Sequence, residues 1–345
     1  MRYGSVPRSF PEWLAFKAGV VPIPILDTVL PAVQGRALIA AGRAGVLRAL
    51  AEKPDSVADL AARLKLDAEC LRLVLRVLES MRYVRRRGDQ WSLTRMGKKY
   101  FGPQATESYE AFVDYGEAMW RYIDRLGDVL QSGKGIDFHE GQDTQEWTSY
   151  QRSMLENARS FAWFVTANTP VAPGARLCLD IAGSHGYVGA MLCEKHPGLR
   201  SVVLDRPEAL ATARELGRGL PWHEHVTFRE GDLLRSDFAG EPDVVLLSNI
   251  LHHFSAETNR AILRRVHQAL KPGGAVSIFE IETPPEDAPV DAAGEGFALF
   301  FRVTSTSTCF RGEDYTSWLR EAGFQNVRVL RSFRMPSRML VVGRA

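Results

Sequence analysis

Two adjacent histidines, His252 and His253, follow a short apolar run at 244–248, in the stretch Ser248-Asn-Ile-Leu-His-His-Phe-Ser-Ala-Glu257. Imidazole has an unperturbed pKa of about 6.5, so near neutral pH such a ring can take a proton from an attacking group. Its plainer use in a loop is to cap the next helix or fill a rim. Three acids stand at the ends of other apolar runs. They are Asp180 in Leu177-Cys-Leu-Asp-Ile-Ala-Gly-Ser-His-Gly-Tyr-Val-Gly189, Asp205 after Ser201-Val-Val-Leu204, and Asp232 in Gly231-Asp-Leu233.

The first of these stretches predicts a strand over 176–181, a tight turn with glycines at 183, 186 and 189, and a helix from Tyr187 to about Lys195. Glycine in such a turn permits positive φ and lets the backbone lie against a ligand. The spacing Gly-x-x-Gly-x-x-Gly differs from the dinucleotide fingerprint, and a plain strand-to-helix turn shares it. Asp205 falls about 20 residues further on, where an acid reaches a ribose diol. Asp232 and Leu233 would frame an adenine. A carboxylate at 180 would face a diphosphate unfavourably but suits a sulfonium cation carrying an ammonium group. Asp180, Gly183, Gly186, Asp205, Asp232 and Leu233 are therefore expected to bind S-adenosyl-L-methionine rather than NAD. His252 and His253 follow a strand of the same set, so they fall on the same rim.

Strands expected at 176–181, 201–204, 226–230, 244–248 and 275–281 alternate with helices, as in an α/β chain with a parallel, doubly wound, Rossmann-like sheet. Two last strands, near 326–330 and 339–342, suit an edge hairpin. Pro170-Val-Ala-Pro-Gly174 marks a break between domains at 1–170 and 171–345. The first domain is expected to be helical from Pro31, with Ser56 and Asp67 as helix caps and a hairpin turning at Gly88-Asp89, which makes a winged helix. Arg85, Arg86 and Arg87 in the wing would suit phosphates, but the second helix offers Asp67, Glu69, Arg72 and Arg76, both signs together. A structural or dimerising role is favoured over DNA binding. The aromatic-rich stretch 101–170 is mostly core by default, with Met154, Phe161 and Trp163 placed to roof a flat substrate. In the segment 294–308, Phe297, Phe300 and Phe301 could hold a planar ring, with Arg302 or Thr304 reading its polar groups; core packing is the alternative.

With 345 residues and a net charge of +2, the chain has no global charge bias toward nucleic acid or an anionic membrane. The four cysteines form no Cys-x-x-Cys, and the apolar stretch 20–33 is broken by Pro22, Pro24, Asp27 and Pro31. A cytoplasmic protein with reduced thiols, no membrane partner and no nucleic acid is expected. No metal is expected, because His223-x-His225 opens a strand at the opposite rim with no carboxylate cluster. The apolar N-terminal helices are too many for one small domain to cover, so a homodimer through that domain is expected.

Over nearly its whole length the chain resembles the S-adenosylmethionine-dependent O-methyltransferases of the caffeic-acid/hydroxyindole type, which include bacterial tailoring enzymes. The strongest match is Asn249-Ile-Leu-His-His-Phe-Ser-Ala-Glu257. The resemblance implies His252 as general base, Phe254 as the ring stacked on adenine, Glu280 as the carboxylate orienting the base, and an aromatic small molecule as substrate. Ser248 stands where a cofactor-binding lysine is common. Cys309 stands where a second carboxylate beside the base is usual. A thiol is a poor hydrogen-bond partner, which keeps a C- or N-methyltransferase, or a relative that binds the cofactor without transferring methyl, as the alternative. A winged-helix DNA-binding regulator is the second alternative.

Overall fold

The computed structural model describes Gly4 and residues 6–105, 107–137, 144–238 and 240–345, which form two compact units divided between Glu117 and Ala118. The first unit contains α1 (Phe10–Lys17), α2 (Ile23–Arg43), α3 (Val46–Glu52), β1 (Asp55–Ser56), α4 (Val57–Leu64), α5 (Ala68–Ser80), β2 (Val84–Arg87), β3 (Gln90–Leu93) and α6 (Arg95–Tyr100). α7 (Glu110–Ile123) crosses the division. The expected caps are present: Ser56 Oγ accepts the Asp59 amide at 3.1 Å, and Asp67 Oδ1 accepts that of Cys70 at 2.7 Å. Leu71, Leu75 and Leu78 recur at helical spacing on α5 and meet Leu47, Leu50, Leu60, Trp91 and Leu93 in one buried cluster. Each such burial is worth about 1.5–3 kcal/mol.

α2 begins at Ile23 rather than after Pro31. Pro31 removes the amide that would bond the Asp27 carbonyl, yet the helix runs through it. Only Ala37, Ile39 and Ala41 of α2 are buried, while Phe10, Trp13, Leu14, Ile25, Val29, Leu30 and Val33 on α1 and α2 are exposed. By length and composition α2 could cross a membrane. Its Arg36 and Arg43, however, pair with Glu117 and Asp114.

The second unit adds α8 (Leu126–Ser132) and α9 (Thr144–Asn168), followed by alternating elements. These are β4 (Leu177–Ile181), α10 (Tyr187–Lys195), β5 (Arg200–Asp205), α11 (Pro207–Gly217), β6 (Val226–Glu230), β7 (Val244–Ser248), α12 (Ala256–Ala269) and β8 (Ala275–Ile281). α13 (Ala292–Thr304), α14 (Gly312–Glu321), β9 (Gln325–Ser332) and β10 (Met335–Arg344) complete it. The sheet order is β6-β5-β4-β7-β8-β10-β9, with the first five strands parallel and β10 antiparallel to both neighbours. This is an α/β Rossmann-like sheet with an antiparallel hairpin at its edge. α12 and α14 share one buried cluster with the sheet, and α9 and α10 share another. The composition break at 170–174 lies inside this unit, because α9 buries Ala158, Phe161, Phe164 and Val165 among residues of the sheet and α10.

Candidate active site

Strand order reverses between β4 and β7, the place where an open α/β sheet leaves a crevice beyond its strand ends. Both strands end in the same way. The Ala182 amide crosses to the Leu204 carbonyl at 2.7 Å and the Asn249 amide to the Phe279 carbonyl at 2.8 Å, and both residues take positive φ. A cavity of about 510 Å³ lies here, within the second unit.

Asp205, Asp232, Leu233 and Phe254 line it, together with Ala182 and Ser184. Asp205 accepts the Ser184 amide on one oxygen and its own next amide, Arg206, on the other, both at 2.8 Å. Burial pushes its pKa up to about 6, against those two hydrogen bonds. Asp232 Oδ1 accepts the Leu234 amide at 2.7 Å, which fixes the turn after β6.

Gly183, Gly186 and Asp180 are not on the cavity wall. A Cβ on Gly183 would come within 2.6 Å of both Asp180 oxygens, and one on Gly186, at φ +75°, within 2.8 Å of Val203 and Val226. The protein packing beneath the loop leaves no room for a side chain at either position. Asp180 is buried, and neither of its oxygens has a side-chain partner. Burial raises its pKa to about 7, opposed by the Gly189 amide. Asp180 thus lies beneath the glycine loop and off the cavity wall, where a direct grip on a cation was expected.

The turn Leu251–His253 follows β7 and carries His252. Its Nδ1 lies 2.7 Å from Glu280 Oε2 at the end of β8, a contact in which Nδ1 donates to the carboxylate. Glu280 Oε1 accepts the amides of Ile250 at 2.8 Å and Leu251 at 2.7 Å. The carboxylate is fully buried, and three donors compensate its charge. Asn259 on α12 donates to the carbonyls of Leu251 at 2.9 Å and Phe254 at 3.1 Å, which pins the turn. Cys309 is buried near this pair; burial and the Glu280 charge push its thiol well above the usual range, so it stays neutral. The Tyr315 hydroxyl, its pKa raised by burial, Glu280 and Cys309, has no hydrogen-bond partner among the described residues.

The predicted substrate walls divide. Phe161 stacks on Phe279 in the core at 4.2 Å, and Trp163 is exposed under the Arg334 guanidinium. Met154 does not line the cavity. α9 instead presents Trp147, Tyr150 and Gln151 to it, one turn apart; Met154 and Phe161 follow on the same face of the helix, further along its axis and past the cavity wall. Phe297 and Phe301 lie off the cavity, but Phe301 sits on the His252 ring at 3.7 Å. Thr304 lines the cavity, whereas Arg302 donates to the Gly133 and Thr306 carbonyls. Ser248 has a buried hydroxyl with no partner among the described residues and is also off the wall.

Missed in the sequence were Tyr150, whose hydroxyl pKa is raised by burial and by the Asp205 charge, and His185. His185 Nδ1 accepts the Tyr187 amide at 3.0 Å, and burial lowers its pKa to about 4, against a hydrogen bond to the Met154 backbone. With the Ser184 hydroxyl bonded to Gln151, it ties the glycine loop to α9. Among the described residues, no group of three or more His, Cys, Asp or Glu side chains is arranged to hold a metal ion.

A Rossmann-like sheet whose cavity beyond the strand ends is lined by Asp205 after β5 and by Asp232 and Leu233 after β6 is the kind of crevice in which α/β enzymes bind nucleoside cofactors. The chain belongs to the O-methyltransferase domain family, whose model matches residues 131–325, and it is an S-adenosylmethionine-dependent enzyme. It is 26% identical over 306 residues, 85% of this chain and 87% of the other, to 3-hydroxy-5-methyl-1-naphthoate 3-O-methyltransferase of Streptomyces sahachiroi. It is 24% identical over 303 residues, 85% and 87% of the two chains, to the N,N-dimethyltransferase OxyT of Streptomyces rimosus. The human N-acetylserotonin methyltransferase structure in complex with the cofactor superposes with a TM-score of 0.80 at 20% identity, covering 99% of each chain.

The cofactor fits the residues present. The cavity's volume falls within the ~300–1,000 Å³ of ordinary small-ligand sites, and Asp205 keeps carboxylate lone pairs for a diol beyond its two backbone bonds.

Proposed function

We propose that this enzyme methylates a hydroxyl of an aromatic small molecule in secondary metabolism, with His252 as general base. The buried His252–Glu280 pair beside the cofactor cavity carries this reading. S-adenosylmethionine supplies a methyl carbon made electrophilic by its sulfonium. Asp205 would hold the ribose diol, Asp232 and Leu233 the adenine edge, and Phe254 its face. His252 Nε2 would take the acceptor's proton as the oxygen attacks in line, and Glu280 would hold the Nδ1–H tautomer and stabilise the imidazolium. The aromatic substrate in the name of the naphthoate relative supports the acceptor class.

His252→Ala should reduce turnover by about 10²–10⁴-fold while leaving cofactor affinity intact; an unchanged rate would remove the assignment. The second reading, N- or C-methylation, draws support from the neutral Cys309 beside the pair and from OxyT. Product masses from a panel of phenols and aryl amines separate the two.

The exposed apolar side chains of α1 and α2 support a homodimer formed through the N-terminal unit, with that surface facing a second copy rather than lipid or nucleic acid. Three buried thiols and no disulfide among the four cysteines agree with a reducing, cytoplasmic setting. A monomeric mass in dilute solution would overturn the dimer.

A further inference from the structure

Two walls of the cavity hang from one helix. Asp232, Leu233 and Leu234 line it after β6, and Phe254, Ser255 and Thr258 line it after β7. The first stretch is a turn that closes on itself. The Asp232 amide donates to Ser236 Oγ at 2.8 Å, and the Ser236 amide to the Asp232 carbonyl at 2.7 Å. Three carbonyls of this turn meet a single side chain from outside. Arg265 of α12 donates through Nη1 to Leu233 at 2.7 Å and Leu234 at 3.1 Å, and through Nη2 to Ser236. Its guanidinium also lies 4.4 Å from the centre of the buried Phe238 ring, so its flat side is held as well.

The second wall is fixed from the same helix, because Asn259 donates to the Leu251 and Phe254 carbonyls. α12 in turn buries Ile262, Leu263 and Val266 in the cluster it shares with the sheet. The spacing of Leu233 from Phe254 is therefore set by two polar side chains of one packed helix.

We propose that Arg265 is the positioning residue of the adenine slot, holding Asp232 and Leu233 against Phe254 so that the cofactor site selects its base. This rests on the assignment of those three residues to adenine. Adenine carries an amino group at C6, a donor that suits the Asp232 carboxylate. Hypoxanthine carries a carbonyl there, which sets acceptor against acceptor. Such a choice needs the carboxylate held to within a fraction of an ångström, and the charge-assisted bonds from Arg265 supply the hold. A lysine has one nitrogen where the fork has two, so it cannot reach Leu233 and Ser236 as the guanidinium does.

The test is calorimetric, the Kd of S-adenosylhomocysteine and of its deaminated analogue S-inosylhomocysteine for the wild type and three variants. The wild type should bind the inosyl compound at least about tenfold more weakly. Arg265→Met, which keeps the aliphatic stem, should weaken S-adenosylhomocysteine by about tenfold and bring the two Kd values to within about threefold of each other. Arg265→Lys should fall between in both respects. Asp232→Asn, whose amide can donate to the C6 carbonyl, should lower the ratio by itself.

An Arg265→Met protein that keeps the wild-type ratio, whatever its Tm, would overturn the proposal, since bonds that only stabilise the fold have no reason to alter a base preference. If that variant does not fold, Arg265→Lys decides in the same way. A wild type with no preference, or a preference untouched by Asp232→Asn, would overturn the adenine assignment and the proposal with it. A preference lost on Asp232→Asn but kept on Arg265→Met would sink the role of Arg265 alone.

Discussion

Glu280→Gln is the sharpest probe of the proposed base, because it changes one atom of a fully hydrogen-bonded group. Glu280 Oε1 holds two backbone amides at 2.8 and 2.7 Å, and Oε2 holds His252 Nδ1 at 2.7 Å. Glutamine has one oxygen and one NH₂. Turning the NH₂ toward the two amides would set donor against donor at about 1–3 kcal/mol each, so the oxygen stays on the amides and the NH₂ faces Nδ1. Nδ1 must then accept, which moves the proton to Nε2 and removes the lone pair the reaction needs. Recovering the productive tautomer costs about 4 kcal/mol, or about 10³-fold in kcat, comparable to other substitutions that trap a catalytic imidazole in the wrong tautomer. Glu280 does not line the cavity, so the cofactor Kd should change less than about twofold. Single-turnover transfer of labelled methyl to the best phenol of a panel gives the rate, and calorimetry gives the Kd. A kcat within tenfold of wild type, in a folded protein, would refute the role of the pair. Combined with His252→Ala it should cost little more than either change alone.

Asp205 titrates near 6, raised by burial, and only its ionised form offers a full set of acceptors to a diol. Cofactor affinity should fall by up to about tenfold per pH unit below that value; Asp205→Asn should bind weakly with no such slope, and a sloped variant would contradict the assignment. Asp180 is the reverse of the usual acid. Its folded pKa of about 7 lies above the ordinary value of 3.8, so the folded chain binds the extra proton and its stability declines as pH rises from about 4 through 7. Asp180→Asn should remove that slope and stabilise the protein at pH 8 by on the order of 4 kcal/mol; a lower Tm at pH 8 would disprove it. Gly135→Ala would drive a Cβ into the Ser305 carbonyl and lift the 133–137 strap, costing about 1–3 kcal/mol. An unchanged Tm would show that the strap adjusts freely.

The sequence by itself determined the sheet, because period and composition are local: runs such as Val244–Ser248 and Ala275–Ile281 are mostly apolar rather than alternating, as strands buried on both faces are. It also placed Asp205, Asp232 and His252 on one rim, since in a parallel sheet every strand end following the same connection faces the same way. The pairing of His252 with Glu280 came only from a resemblance, and their 28-residue separation becomes 2.7 Å only once β7 and β8 lie side by side. Placement was beyond local reading. Whether Asp180 lies on the cavity wall or under its own loop, and whether α9 offers Met154 and Phe161 or Trp147 and Tyr150, which share one face of the helix, depends on which stretch of each element reaches the cavity. That is set by burial against residues far away in the chain, Phe279 for Phe161 among them. The packing of Phe301 on His252 belongs to the same class, a contact across 49 positions that no spacing encodes.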